Sequence, residues 1–193
     1  MKKILITFLI IVLHYTNLNA ENDVKRIYEG KEDSKITILV YESLTCSHCA
    51  KFHSDIYPDL KKNFIDKGYL KLEYRNFPLD LAAFNAAKAA HCKSNDGVEI
   101  LHFLYKNQNE WVKGNTIEEL NINLEKIINS QNFGIDYNKC INNKNIEDFV
   151  LEDRIEGVKK YNVSATPTLI INGEKFENTL TYKNLEKTLE KLL

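Results

Sequence analysis

The sequence predicts an α/β fold in which a mixed β-sheet is interrupted by a long all-helical segment. Residues 36–41 form an apolar run rich in β-branched side chains, and residues 70–75 alternate apolar with polar side chains, so both segments indicate strands. From Pro78 to about Gly157 the apolar residues recur at helical spacing, and a strand-like run returns only at 168–171. Strands on both sides of a helical block predict one sheet with an inserted helical domain.

The first predicted strand, residues 36–41, is followed by a helix whose apolar side chains recur every fourth residue. These side chains are Phe52, Ile56, Leu60 and Phe64. Pro58 lies inside the pattern and has no amide hydrogen to donate, so we expect the helix to kink or break near Tyr57. Gly68 ends the segment, and the strand at 70–75 follows. A strand, helix and strand of this length predict a parallel crossover.

The helical block contains three apolar patterns, and each predicts a helix with one face toward the core. Residues 79–93 are rich in alanine. A second pattern consists of Ile117, Leu120, Leu124, Ile127 and Ile128. A third consists of Leu151, Ile155 and Val158.

The end of the chain predicts a β-hairpin and a final helix. Asn172-Gly173 supplies the two residues that a tight hairpin turn prefers, between strands at 168–171 and 174–176. An amphipathic helix is predicted from about residue 182 to 193, with four leucines on one face: Leu185, Leu189, Leu192 and Leu193.

The first twenty residues have the pattern of a secretory signal peptide. A basic start at Lys2 and Lys3 precedes an apolar run at 4–13, and Leu18-Asn19-Ala20 is a plausible cleavage site. We therefore predict export to the periplasm with cleavage after Ala20; an uncleaved anchor is the alternative. Cleavage would leave 24 basic and 27 acidic side chains, a formal charge of −3, which does not favour a nucleic-acid partner.

Cys46 and Cys49 form a CxxC pair where the first predicted strand gives way to a helix. Unpaired amides and the dipole at a helix start stabilise an anion, and they favour thiolate over thiol at Cys46. A cysteine that ionises easily attacks disulfides and also leaves them readily. The pattern predicts a redox pair with Cys46 as the exposed nucleophile and Cys49 as the buried resolving thiol.

Four cysteines in an exported protein are expected to pair. Of the three pairings, we favour a Cys46–Cys49 redox pair with a structural disulfide between Cys92 and Cys140. That second bond requires the helices to bring the two Cα atoms within about 7 Å. Free buried thiols are the alternative for Cys92 and Cys140.

The order of these elements, together with two distant motifs, resembles the DsbA family of exported thiol oxidases, which have a thioredoxin fold with a helical insertion. The motifs are Leu44-Thr45-Cys46-Ser47-His48-Cys49-Ala50-Lys51-Phe52-His53 and Val163-Ser164-Ala165-Thr166-Pro167-Thr168. The resemblance implies a thioredoxin-like domain at 21–78 and 158–193 and a helical insertion at 79–157. It also implies a cis Thr166–Pro167 bond beside the sulfurs, with the Thr166 backbone pairing an extended substrate; an ordinary trans proline entering an edge strand is the alternative.

The resemblance implies an oxidase that introduces disulfide bonds into reduced or unfolded exported proteins. The redox-active disulfide replaces a cofactor, no metal is expected, and a membrane quinone-linked partner would reoxidise the enzyme. His48, inside the CxxC motif, would stabilise the Cys46 anion by charge or by a hydrogen bond; a solvated histidine is the alternative. The short segment at 21–34 is too small for a dimerisation segment, which favours a monomer.

Two positions depart from the family pattern. Ser47 replaces the proline common at the first position between the cysteines, so the family's redox potential cannot be transferred. The acid that thioredoxin-like strands often carry six residues before the first cysteine is absent, because Val40 occupies that position. Glu42 lies on the same strand face and is a candidate proton acceptor for Cys49, with a solvated strand-end glutamate as the alternative. His53 is interpreted as structural.

Three other functions are compatible with the sequence. Within the enzymes, a disulfide isomerase or reductase is the nearest alternative. An exported zinc-binding protein could use the four cysteines, although Cys92 and Cys140 lack the close pairing of zinc ligands. A peptide-binding protein whose disulfide only stabilises the fold is a further alternative, and it predicts that Cys46 is dispensable.

Overall fold

The computed structural model describes residues 24–93 and 97–193, and in these residues five strands form one mixed sheet. The predicted signal peptide, residues 1–20, lies outside the described residues. Across the sheet the strands follow the order β1-β3-β2-β4-β5. The strands are β1 (Ile27–Glu29), β2 (Ile36–Glu42), β3 (Leu70–Asn76), β4 (Thr168–Ile171) and β5 (Glu174–Lys175).

Strand pairing confirms the predicted mixed sheet. β2 and β3 run parallel, with Ile38 opposite Leu72, as the crossover connection requires. β4 pairs antiparallel with β2 and β5 pairs antiparallel with β4. In the turn between β4 and β5, Asn172 and Gly173 both have positive φ angles, 48° and 90°, which suits Asn-Gly in a two-residue hairpin turn.

β1 was missed in the sequence because it is only three residues long and lies in a polar segment. It pairs antiparallel with the outer edge of β3. Its one deeply buried side chain is Ile27, whereas Tyr28 and Glu29 are partly exposed, so no apolar alternation marks it.

The helix after β2 widens twice from α-helical to π-helical winding. α1 (Ser47–Lys51) continues into a π-helical segment, Phe52–Ile56, and then into α2 (Tyr57–Leu60) and a second π-helical segment, Lys61–Ile65. Pro58 lies in the first turn of α2, where its missing amide hydrogen does least harm. The interruption predicted near Tyr57 is thus a widened turn that ends there. The four predicted core side chains, Phe52, Ile56, Leu60 and Phe64, are buried.

Between β3 and β4 the chain is helical, as predicted, and α9 follows β5. The helices are α3 (Leu81–His91), α4 (Gly97–Lys106), α5 (Gln108–Trp111), α6 (Ile117–Asn129), α7 (Tyr137–Ile141), α8 (Lys144–Tyr161) and α9 (Tyr182–Glu190). Five N-cap residues cap these helices with side-chain hydrogen bonds, and Thr116 and Glu119 form a full capping box on α6.

The sheet and the helical block share one hydrophobic core. Alanines 82, 86, 89 and 90 of α3 are almost completely buried, and their small side chains let α3 pack closely against α4, α6, α7 and α8. α8 runs to Tyr161, past the boundary predicted at residue 157, and it contacts β3. The division into 21–78, 79–157 and 158–193 stays a prediction.

The predicted orientation of α8 is wrong. Leu151, Ile155 and Val158 are 39–50% exposed, and the buried face carries Ile146, Phe149, Val150, Asp153 and Gly157. The inner face includes a charged residue and a glycine, which a search for apolar periodicity overlooks. Leu193, predicted on the core face of the last helix, is also 47% exposed, because α9 ends at Glu190.

Asp153 sets the orientation of α8 because its fully buried carboxylate must be paired. Its Oδ1 accepts a hydrogen bond from Arg75 Nη1 at 3.1 Å, and Arg26 forms a second ion pair with it. Its Oδ2 accepts the backbone amide of Asn76 at 3.0 Å and the Asn76 side chain at 2.7 Å. These bonds attach α8 to β3 and to the segment before β1.

Gly157 lets α8 approach the sheet closely. A Cβ at this position would lie 2.7 Å from Tyr41 Cε1. We expect Gly157→Ala to lower the free energy of unfolding by about 1 kcal/mol, because overpacking costs more than the better helix propensity of alanine contributes. Urea unfolding would measure the change, with exposed Glu152→Ala as the control on α8. A gain in stability would contradict the close packing described here.

A disulfide joins Cys92, at the end of α3, to Cys140 of α7, with the Cα atoms 5.4 Å apart. The two cysteines are 48 positions apart in the sequence, and their bond closes the chain between them into a loop. Replacing both cysteines by alanine should lower the free energy of unfolding by about 2–4 kcal/mol, because the unfolded chain gains conformational freedom. Denaturant unfolding with intact and doubly substituted protein tests this. Equal stability would show that the bond contributes little.

Candidate active site

Cys46 occupies the N-cap position of α1, in the loop that leaves β2. Its backbone is extended, with φ −78° and ψ 120°, and its amide donates to Ser43 O at 2.9 Å. The Cys46 carbonyl accepts the amide of Ala50 at 3.1 Å and so begins the helix. This geometry directs the first free amides of α1 toward the sulfur, as the CxxC position predicted.

The environment of Cys46 favours the thiolate. A hydrogen bond from the Cys49 thiol lowers the pKa of Cys46 to about 5, with further help from Thr166 and the backbone amides of Cys49 and His48, and against the effect of burial. As a thiol, Cys46 Sγ donates to Thr166 O at 3.4 Å. Cys46 is partly exposed and can therefore meet an external sulfur.

Cys49 lies in the opposite environment, one turn into the helix. It is fully buried. Burial, the hydrogen bond to Cys46 and the nearby charge of Glu42 raise the pKa of the Cys49 thiol far above its ordinary value. The pair therefore consists of one sulfur that ionises readily and one that strongly resists ionisation.

The loop before β4 faces the sulfur pair across the site. The Thr166–Pro167 bond is cis, and the Thr168 hydroxyl donates to Ala165 O at 2.7 Å across the turn. The Thr166 hydroxyl oxygen is buried and has no hydrogen-bond partner among the described residues. It is therefore available to donate to a thiolate at Cys46.

A groove of about 480 Å³ is lined by His48 and by the Thr166–Pro167 loop, whose Thr166 carbonyl lies 3.4 Å from Cys46 Sγ. One wall comes from the active-site helix and the other from the segment leading into α9. Its lining mixes apolar and polar side chains: His48, Lys51, Phe52, Asp55, Ile56, Thr166, Pro167, Leu180, Thr181 and Tyr182. A groove of this character next to a reactive sulfur could hold an extended peptide.

His48 contributes to the site mainly through its backbone. Its amide helps to lower the pKa of Cys46, whereas its side chain is exposed and borders the groove. A direct contribution of the imidazole to the Cys46 anion stays a prediction.

Glu42 and His53 form a buried pair behind the cysteines. Glu42 is 5% exposed, and its Oε2 lies 2.8 Å from His53 Nε2. The sequence assigned His53 a structural role with no partner, but the structure also places His102 Nδ1 at 3.3 Å from His53 Nδ1. No local motif points to His102, because it lies 49 positions away along the chain.

Gln108 is a site residue that the sequence did not single out. Its side-chain amide donates to Leu44 O at 2.8 Å and to Cys46 O at 3.1 Å, so α5 holds the loop that carries Cys46. Gln108 is polar and lies in a block analysed for apolar periodicity. No sequence signal distinguishes it from the other polar residues of that block.

Cys92 and Cys140 are bonded to each other, so their sulfurs cannot complete a four-thiolate zinc site with Cys46 and Cys49. Within residues 24–93 and 97–193, no group of three or more histidine, cysteine or acidic side chains is arranged to hold a metal ion. In the same part of the chain, none of the helices has the length and apolar character needed to cross a bilayer.

A family profile described as thioredoxin matches residues 22–191. Among solved structures, alpha-DsbA1 of Wolbachia pipientis is 26% identical with a TM-score of 0.75, over 87% of this chain and 90% of that chain. The similarity thus extends over both the sheet and the helical block.

Curated relatives show the same kind of similarity in sequence. Disulfide bond formation protein D of Bacillus subtilis is 27% identical over 85% of this chain and 75% of its own length. A Rickettsia prowazekii protein named as a candidate protein-disulfide oxidoreductase is 28% identical over 85% of this chain. The match covers 60% of that protein, so the chain spans about three fifths of the length of such relatives.

The thiolate of Cys46 provides a direct test of the site. In reduced protein, absorbance at 240 nm should show one thiol titrating near pH 5, and Cys46→Ser should remove that step. The unfolded chain ionises Cys46 only near its ordinary pKa of 9.0. Between about pH 5 and 9 the unfolded state therefore binds more protons than the folded state, and the stability of the reduced protein should rise with pH. The stabilisation that the Cys46 thiolate contributes should be complete above about pH 9 and should be lost as pH falls to about 5. Titration near pH 9 would contradict the site described here.

Proposed function

The chain belongs to the thioredoxin family, and from this membership we propose that it is a thiol:disulfide oxidoreductase that works through Cys46 and Cys49. The observation that carries the proposal is the unequal environment of the two sulfurs. Cys46 is accessible with a pKa lowered to about 5, and Cys49 is buried with a raised pKa. A pair of this kind exchanges disulfides at one sulfur only.

The proposed reaction begins with the Cys46–Cys49 disulfide. A substrate thiolate attacks Cys46 Sγ, the bond between the two cysteines breaks, and its electron pair goes to Cys49. A second substrate thiolate then attacks the substrate sulfur of the mixed disulfide and displaces Cys46 as a thiolate. The substrate gains a disulfide, and the enzyme keeps two electrons as a reduced pair.

The direction proposed is oxidation. Each interaction that lowers the pKa of Cys46 stabilises the reduced form, and a stabilised reduced form makes the disulfide a stronger oxidant. Ser47 adds a backbone amide where the DsbA family commonly has proline, so this chain has a reduction potential of its own.

The substrates proposed are reduced or unfolded exported proteins bound as extended segments. Thr166 and Pro167 end the turn before β4 and border the groove beside Cys46. A cis turn leaves the Thr166 backbone free to pair with a substrate strand, while Pro167 offers no amide. The apolar part of the groove suits the side chains that an unfolded chain exposes.

Glu42 is the proposed proton acceptor and donor for Cys49. Its carboxylate is buried and its charge acts on the Cys49 thiol. Opening the disulfide produces charge on a buried sulfur, and a nearby protonated group neutralises it.

The proposed location is the periplasm, because residues 1–20 have the pattern of a signal peptide cleaved after Ala20. Electrons left on the enzyme would pass to a membrane quinone-linked partner, as the resemblance to the DsbA family implies. The protein is proposed to act as a monomer and to need no cofactor beyond its own disulfide.

Equilibration with glutathione distinguishes an oxidase from a reductase or isomerase. We expect a reduction potential closer to the roughly −120 mV of DsbA than to the roughly −270 mV of thioredoxin. This potential is measured by quantifying the Cys46–Cys49 disulfide across a series of ratios of reduced to oxidised glutathione. A value near that of thioredoxin would overturn the oxidase direction.

Variants of the two cysteine pairs test which pair carries the activity. Cys46→Ser should abolish oxidation of a reduced unfolded protein such as ribonuclease, whereas replacing both Cys92 and Cys140 by alanine should leave it largely intact. Full activity in Cys46→Ser would instead favour a peptide-binding protein.

A further inference from the structure

Behind the cysteines, four titratable side chains form a continuous hydrogen-bonded chain. Glu42 Oε2 lies 2.8 Å from His53 Nε2, and His53 Nδ1 lies 3.3 Å from His102 Nδ1. His102 Nε2 lies 2.9 Å from Glu29 Oε1. The four residues come from β2, the first π-helical segment, α4 and β1, and they are brought together only by the fold.

The chain runs from the core to the surface. The side chains of Glu42 and His53 are 4% and 5% exposed, whereas that of His102 is 26% exposed. Beyond Glu29 lies Lys61, whose Nζ is 3.5 Å from Glu29 Oε2 and whose side chain is 41% exposed. A surface cavity of about 580 Å³ is lined by His53 and His102, so water reaches the histidines from outside.

The hydrogen bonds fix where the protons lie. Burial raises the pKa of Glu29, but hydrogen bonds from His102, Tyr74 and Tyr57 together lower it to about 2. The Glu29 carboxylate therefore accepts a hydrogen bond from His102 Nε2–H. The 3.3 Å contact between His102 Nδ1 and His53 Nδ1 needs one donor and one acceptor, so a proton also lies between the two rings.

One mobile proton follows from this arrangement. The 2.8 Å contact between His53 Nε2 and Glu42 Oε2 requires a proton between these two atoms. It lies either on Glu42, beside a neutral imidazole, or on His53, beside a carboxylate. The other carboxyl oxygen, Glu42 Oε1, is buried and makes no hydrogen bond of standard geometry with the described residues.

We propose that Glu42 and His53 together store the proton that Cys49 takes up when the disulfide opens, and that His102 replaces this proton from solvent. The inference rests on the proposed redox function and adds a defined path for the proton. When a thiolate bonds to Cys46 and the Cys46–Cys49 bond breaks, Cys49 receives the electron pair. The proton moves from the Glu42–His53 pair to Cys49, and a solvent proton restores the pair through His102.

The need for a proton follows from the burial of the leaving sulfur. Cys49 is fully buried, and Glu42 raises its pKa. Leaving as a bare thiolate next to a carboxylate would place two negative charges in the core. Protonation of Cys49 as the disulfide opens removes that cost.

The groups that face His53 come from every element packed around its ring. Tyr105 stacks on it at 4.0 Å between ring centroids, and its buried hydroxyl lies in the field of Glu42 and both cysteines. The full set is Glu42 from β2, Tyr57 from α2, Tyr74 from β3, and His102 and Tyr105 from α4. The tyrosines are neutral near pH 7, since burial raises the pKa of each.

The test measures how fast dithiothreitol opens the Cys46–Cys49 disulfide, which requires no biological substrate. Rates would be measured in wild-type protein, His53→Gln and His102→Gln by rapid quenching and thiol alkylation from about pH 5 to 8, where imidazoles titrate. Glutamine keeps a hydrogen-bonding side chain but carries no mobile proton. His91→Gln is the matched control, because His91 is a buried histidine that contacts the Asn76 side chain and the Lys25 carbonyl and is not part of the Glu42–Glu29 chain.

After correction for thiol ionisation, the wild-type rate should fall as pH rises, because solvent then supplies protons to His102 less readily. Both variants should open the disulfide at least about tenfold more slowly, with a flattened pH profile, while His91→Gln matches the wild type. Circular dichroism would verify that each variant is folded, and partly exposed His102 is the safer position if His53→Gln fails to fold.

Wild-type rates and pH profile in folded His102→Gln would overturn the relay, as would an equal slowing in His91→Gln. Failure of the proposed function gives a different result. In that case the wild type would not oxidise a reduced protein, although opening of its disulfide by dithiothreitol would still depend on His53 and His102.

Discussion

The unequal solvation of two sulfurs, three residues apart on one helix, is the constraint on which the rest of this structure depends. Cys46 lies at the free amides of a helix start, and Cys49 lies one turn inside the core. Hydrogen bonding to Cys49, Thr166 and backbone amides stabilises charge at the first sulfur, while burial and Glu42 oppose it at the second. A shift of either sulfur toward the other's environment would remove the preference for attack at Cys46.

The surrounding fold maintains this difference from three directions. Gln108 of α5 donates hydrogen bonds to the carbonyls of Leu44 and Cys46, so the helical block fixes the loop that carries Cys46. The Thr166–Pro167 turn presents a carbonyl and a buried hydroxyl from the sheet side. Behind the helix, Glu42 and His53 complete a polar enclosure that would be unfavourable in the core if its members were not paired. The inserted helices are therefore part of the site.

Buried polar residues explain the largest disagreement between sequence and structure. The apolar stripe of α8, at Leu151, Ile155 and Val158, is exposed, because pairing of Asp153 with Arg75 and Asn76 turns the opposite face inward. A buried charge without a partner costs more than exposing a few apolar side chains. The same reasoning applies to His53, whose burial is stable only beside Glu42 and His102.

Local sequence was sufficient for the strand and helix pattern, the Asn172-Gly173 turn and the position of Cys46 at a helix start, because backbone geometry imposes short periods and local turn preferences. Only the folded chain brought Gln108 to the active-site loop, β1 to the sheet edge, and Glu29 and His102 to His53. These contacts join residues tens of positions apart, and no local rule selects one polar side chain over another. Their selection depends on which charges and hydrogen bonds must be satisfied once the core has closed.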